Sequence, residues 1–127
     1  MSTQEWVKNY IPQNFSVGIS NYVNGDYCFV AGHTNKIGND ITEGETSRPK
    51  VSGGVALNYS FVNADYAFAA NYGANAKYQN SAAFGYWTET GTRNQTVLGS
   101  YNAAKSTTAF EVGNGSSSKR KNAFEVL

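Results

Sequence analysis

Residues 108–127 read TAFEVGNGSSSKRKNAFEVL, and Ala-Phe-Glu-Val occurs in them twice, from Ala109 and from Ala123. The two copies start 14 residues apart (123 − 109). Counting back from Gly113 at that interval reaches Gly99 after TVL, Gly85 after AAF and Asn71 after FAA, and a step of 13 reaches Asn58 after VAL. Further upstream Gly32 follows FVA and, 14 residues before it, Gly18 follows FSV. Gly18, Gly32, Asn58, Asn71, Gly85, Gly99 and Gly113 therefore mark one repeat phase, and the second Ala-Phe-Glu-Val reads as the start of a further copy.

Side chains alternate within each copy. The first and third positions before the phase residue are Val17/Phe15, Ala31/Phe29, Leu57/Val55, Ala70/Phe68, Phe84/Ala82, Leu98/Thr96 and Val112/Phe110. Period-two alternation of this kind is the signature of a strand with one buried face, and it places these pairs in a narrow core. The intervening positions, Ser16, Val30, Ala56, Ala69, Ala83, Val97, Glu111 and Glu125, are small and apolar in the middle of the chain and acidic at its end. That parity is expected to meet the second half of each coil or another subunit, and to be wet near the C-terminus. After each phase residue comes a stretch such as NYVNGD, SFVNAD or TETGTR, whose Asn, Gly and Asp tolerate the left-handed backbone of sharp corners.

The pattern predicts a solenoid: coils of about 14 residues, each with two short strands and two turns, stacked in parallel about 4.8 Å apart. Some eight coils would make a rod section roughly 35–40 Å long. Between Gly32 and Asn58 the spacing is 26, and the intervening IGNDITEGETSRPKVS is rich in charges and turn formers, so residues 39–52 read as an inserted loop within a repeat domain over 14–127.

Composition agrees. Gly 13 and Tyr 9 against Pro 2 and Met 1 favour short strands joined by tight turns over helices. A net charge of +1 provides no broad basic field for nucleic acid, and Lys119-Arg120-Lys121 fits a solvated turn. The one cysteine, Cys28, rules out an internal disulfide and a multi-cysteine zinc site, and its neighbours Tyr27, Phe29 and Val30 suit a buried, inert thiol. No run reaches the roughly 18 apolar residues of a membrane span, and no signal-peptide pattern opens the chain. A 14-residue coil buries only two or three large side chains at roughly 2 kcal/mol each, against an ordering cost above about 1 kcal/mol per residue. So thin a margin argues for further burial between subunits.

The segments SAAFGYWTETGTRN and QTVLGSYNAAKSTT resemble the head repeats of trimeric autotransporter adhesins, in the form found in phage tail fibres and tailspikes, and the ending VGNGSSSKRKNAFEVL is similar to a segment of such fibres. The resemblance spans about residues 15–127; Gly18, Gly32, Gly85, Gly99 and Gly113 match its glycine, while Asn58 and Asn71 depart from it. It implies an all-β, left-handed parallel β-roll assembled as a homotrimer, and a non-enzymatic role in attachment at a phage tail or, alternatively, at a bacterial surface. The chain stops in mid-repeat at Leu127, which suggests a piece of a longer protein.

The opening differs. Ser2 and Glu5 fit a capping box, Trp6 with Tyr10 and Val7 with Ile11 share a helical side, and Pro12 ends it, so residues 1–13 read as a short helical cap or trimerising segment. Signals for catalysis are weak. His33 is the sole histidine and sits at a turn; Asp26 and Asp40 share a phase but fit solvated corners; Glu43 and Glu45, the acids a polysaccharide-degrading tailspike would need, fall in the loop. No cofactor, metal or catalytic residue is expected. Binding is a better expectation than catalysis: Tyr59, Tyr72 and Tyr86 each follow a phase residue and should stack as a ladder, with Trp87 beside them, a surface suited to a host glycan, to packing the subunit interface or to bracing the roll. Arg48 and Lys50 in the loop are the other candidate contacts.

Overall fold

The computed structural model describes residues 13–38 and 51–127. The expected helix over 1–13 lies outside them apart from Gln13, as do residues 39–50, with Asp40, Glu43, Glu45, Arg48 and Lys50. Val51 and Ser52, read as the end of the loop, instead form a short strand, described below as β6.

The described chain is a parallel β-solenoid with no helix among the described residues. Its main sheet has eight strands: β1 (Phe15–Ile19), β4 (Phe29–His33), β7 (Val55–Leu57), β9 (Phe68–Ala70), β11 (Ala82–Phe84), β12 (Thr96–Ser100), β13 (Phe110–Asn114) and β14 (Asn122–Val126). The second sheet has four: β2 (Tyr22–Val23), β5 (Lys36–Ile37), β8 (Phe61–Val62) and β10 (Asn75–Ala76). A third, short sheet pairs β3 (Gly25–Asp26) with β6 (Val51–Ser52). Phe15 pairs with Phe29, Phe29 with Val55, Val55 with Phe68, Phe68 with Ala82, Ala82 with Thr96 and Thr96 with Phe110, which is the phase read from the sequence, held in register across the insertion and the 13-residue coil alike.

The last copy breaks the pattern. β14 runs antiparallel to β13, with Glu111 opposite Glu125 and Val112 opposite Phe124. The second Ala-Phe-Glu-Val is therefore the return arm of a hairpin and not another coil. Only seven residues (115–121) separate the two strands, and a tight turn, Ser116 bonded to Lys119, uses them up before the chain can travel around a second sheet.

The central positions of the main-sheet strands meet the second half of each coil, one of the two partners expected for them, but the flanking pairs expected to fill the core do not fill it. The fully buried positions are the central ones, Val30, Ala56, Ala69, Ala83, Val97 and Glu111; the first four pack with Ile37, Val62, Ala74 and Ala76. The flanking Phe, Leu and Val side chains point outwards, with Phe15 54% and Phe29 43% exposed. The reason is size. Two sheets separated by one turn of coil leave room for Ala, Val and a single Ile between them, so the larger residues of the alternating pattern take the outside. Glu111, expected to be wet, is completely buried.

The glycine phase follows from close approach. Gly85 and Gly99 adopt φ of 126° and 96°, and a Cβ on either would collide with the carbonyl oxygen of the phase glycine one coil on. At the departures, Asn58 and Asn71 have φ of 59° and 81°, nearer the left-handed region that asparagine accepts. Gly99→Ala is expected to lose about 1–2 kcal/mol from the backbone conformation alone, and more from the collision, whereas Asn71→Gly stays within about 1 kcal/mol. Urea unfolding of the two variants checks this.

Candidate functional site

Each coil turns twice, so the roll has two long edges. The first, between the main sheet and the second sheet, carries the aromatic ladder. Tyr59 stacks on Tyr72 with ring centroids 4.5 Å apart and planes 8° from parallel, and Tyr72 on Tyr86 at 5.8 Å and 23°. Backbone bonds between coils set the spacing: Gly73 N–H donates to the Tyr59 carbonyl, and Trp87 N–H to that of Tyr72. The Trp87 ring lies edge-on to Tyr72 and over Gly73, where any side chain would displace it.

The structure thus brings together Tyr59, Tyr72, Tyr86 and Trp87, and it extends the ladder at both ends. His33 lies 6.1 Å from the Tyr59 ring, and Tyr101 meets Tyr86 edge-on at 5.5 Å. Tyr101 escaped the sequence reading because it sits one place later in its repeat, in the column of Trp87, 14 residues on (101 − 87). The basic run is not simply solvated either. Arg120 lies over the Tyr101 ring at 5.5 Å and donates to the carbonyls of Trp87 (3.0 Å) and Asn102 (3.2 Å), so it ties the hairpin to the end of the ladder.

Because the rings cover one another's faces, the ladder offers mainly ring edges and hydroxyls to solvent, although Tyr72 and Tyr86 are 46% and 50% exposed. Desolvation, the neighbouring Tyr86 and the hydrogen bond with it push the Tyr101 phenol above its ordinary value, and Arg120 opposes them.

A second constellation lies inside the roll and was not read from the sequence. At the C-terminal end, Glu111 accepts from Asn102 Nδ2 (2.6 Å), Thr108 Oγ1 (2.6 Å), Lys105 N (2.9 Å) and Gln95 Nε2 (3.3 Å). At the other end Asn21 Oδ1 takes both the backbone N–H and the side-chain amide of Asn35, whose own Oδ1 takes the N–H and hydroxyl of Ser60. The available signal was the 14-residue recurrence of Asn21 at Asn35. These side chains serve backbone groups at corners where the ladder of strands is interrupted, which is a structural role.

Cys28 is buried, and burial raises its thiol pKa. Among the described residues no group of His, Cys, Asp and Glu could hold a metal ion. Comparison with protein-family models, curated proteins and solved structures finds no match.

Glu111→Ala is expected to cost about 3 kcal/mol or more, because Asn102, Thr108 and the Lys105 N–H each lose an acceptor at roughly 1–3 kcal/mol apiece. Denaturant titration measures it. The Tyr101 phenol titrates later in the folded roll than in the unfolded chain. Its contribution is therefore fully present below the ordinary phenol pKa and lost as pH rises through the folded value. Arg120→Ala should push the Tyr101 titration higher still, which tyrosinate absorbance reports.

Proposed function

We propose that this chain is a non-catalytic structural and receptor-binding module of a homotrimeric fibre of the phage-tail type, with three rolls packed through their main sheets around a common axis. The observation that carries this reading is the outer face of that sheet. From Phe15 to Val112 its first and third positions hold only Phe, Val, Leu, Ala and one Thr, with no charged side chain. Neighbouring coils already group their aromatic rings there: Phe15 on Phe29 at 4.9 Å, and Phe68 edge-on to Phe84 at 5.0 Å.

A continuous apolar face of this kind is characteristic of an interaction surface. Its lack of charge suits a partner of the same composition, and its repetition along the axis suits copies of this chain, since like residues then meet level by level. Both long edges stay free in that arrangement. Tyr59, Tyr72, Tyr86 and Trp87 on the ladder edge then become contact groups presented three times over, and the function is display: weak contacts to a host-surface glycan or protein gain strength from simultaneous engagement.

Light scattering over a range of concentrations tests the assembly. A mass near three times 13.7 kDa is expected. Phe68→Glu with Phe84→Glu should reduce it to the single-chain mass while strand content persists. A wild-type chain that stays monomeric at every concentration would refute the reading.

A further inference from the structure

The second long edge, between the second sheet and the return to the main sheet, differs chemically from the first. It carries an open groove with a volume of about 360 Å³, at the small end of the range of ligand sites. Asn63, Asp65, Lys77, Tyr78, Gln79 and Arg93 supply its functional groups. Asp65, Gln79 and Arg93 are 14 residues apart (79 − 65 and 93 − 79) and so occupy one column on successive coils. The corner backbone is repeated and bonded: Tyr66, Asn80 and Asn94 adopt φ of 56°, 57° and 58°, and Asn80 Nδ2 donates to Asn94 Oδ1 at 3.1 Å.

Three features separate this groove from a merely wet surface. Arg93 has no ion pair among the described residues, and Lys77 is loosely paired, 3.8 Å from Glu89. Lys77 and Arg93 are balanced by Asp65 and Glu89 (2 − 2), so the attraction for an anion rests on Arg93, whose guanidinium is unpaired among the described residues. Asp65 spends one carboxylate oxygen on the Ser52 N–H at 2.8 Å, which fixes the group and leaves the other oxygen as an acceptor. Tyr78 is 40% exposed and, unlike the mutually stacked Tyr59, Tyr72 and Tyr86, has no ring partner.

A guanidinium fork recognises a carboxylate, an aromatic face takes the C–H side of a pyranose, and amides with a fixed carboxylate take hydroxyls. All three lie together here. We propose that this groove, as a site separate from the ladder, binds carboxylated sugar units of an acidic surface polysaccharide, with Arg93 and Lys77 on the carboxylate and Tyr78 under the ring. The proposal rests on the receptor-binding reading above and names its ligand class.

The test is calorimetric titration of the full chain with trigalacturonic acid, with its methyl ester and with sialyllactose against lactose. Binding to the acidic sugars, lost on esterification, is expected. Arg93→Ala and Tyr78→Ala should each weaken it by about tenfold, the loss expected for one charge-assisted or stacking contact. Arg93→Lys should fall between, and Ser117→Ala in the exposed hairpin turn should leave it unchanged. All of these side chains are on the surface, and light scattering of each variant checks its assembly. Equal affinity for neutral and acidic sugars, no binding to either acid, or an unchanged Arg93→Ala overturns the groove. Glycan binding that depends on Tyr86 and not on Arg93 also overturns it while keeping the receptor-binding reading. A monomer that binds acidic sugars through Arg93 keeps the groove and overturns the trimer.

Discussion

The depth of the interior governs everything else in this protein. A coil of 14 residues brings its two short strands so close that Val30, Ala56, Ala69 and Ala83 on one sheet and Ile37, Val62 and Ala76 on the other already fill the space. Few methylenes are buried per coil, and the main hydrophobic content of the sequence is left on the outside of the main sheet. Backbone pairing between coils supplies the continuity, and the apolar outer face is the surface on which the proposed association rests.

The same geometry makes the edges dissimilar. At the corner leaving the main sheet, coil stacking lines up aromatic side chains close enough to touch, and they satisfy one another. At the corner returning to it, the stacked column changes from Asp65 through Gln79 to Arg93, so charge varies along the axis while backbone conformation stays constant. A regular scaffold with an irregular edge is how a repeat protein acquires a local site.

The phase of the solenoid was legible in the sequence because the backbone constraint acts through residue identity. A carbonyl from the next coil sits where a Cβ would be, and Gly18, Gly85 and Gly99 record it. The ladder of Tyr59, Tyr72 and Tyr86 was legible for the same reason, since coil stacking follows directly from the phase. Which face points inwards was not. Alternation reports that two faces differ, and the usual inference sends the larger apolar residues inside; here the cavity is too shallow for Phe68 or Leu98. The turn at Ser116–Lys119 was not legible either, because Ala-Phe-Glu-Val reads alike in both directions of pairing: an alternating strand keeps its faces whether it runs parallel or antiparallel. Tyr78 and Arg93 carried no signal of their own, since a surface tyrosine and a surface arginine line one groove only when two coils set them side by side.

The polar ends of the interior have a consequence for uniqueness. A chain of near-identical coils can in principle pair one repeat out of step, since small apolar centres such as Ala56, Ala69 and Ala83 are interchangeable. A slip of one coil would carry Glu111 away from Asn102 and Thr108 and set its carboxylate against an aliphatic level, and it would separate Asn35 from both Asn21 and Ser60. Buried groups left without partners make such a slipped state costly. The short coil between Asn58 and Asn71 adds a vernier mark, because a 13-residue step fits only one level of the stack. The interior thus gives up apolar burial at its two ends and gains a single alignment of otherwise equivalent turns.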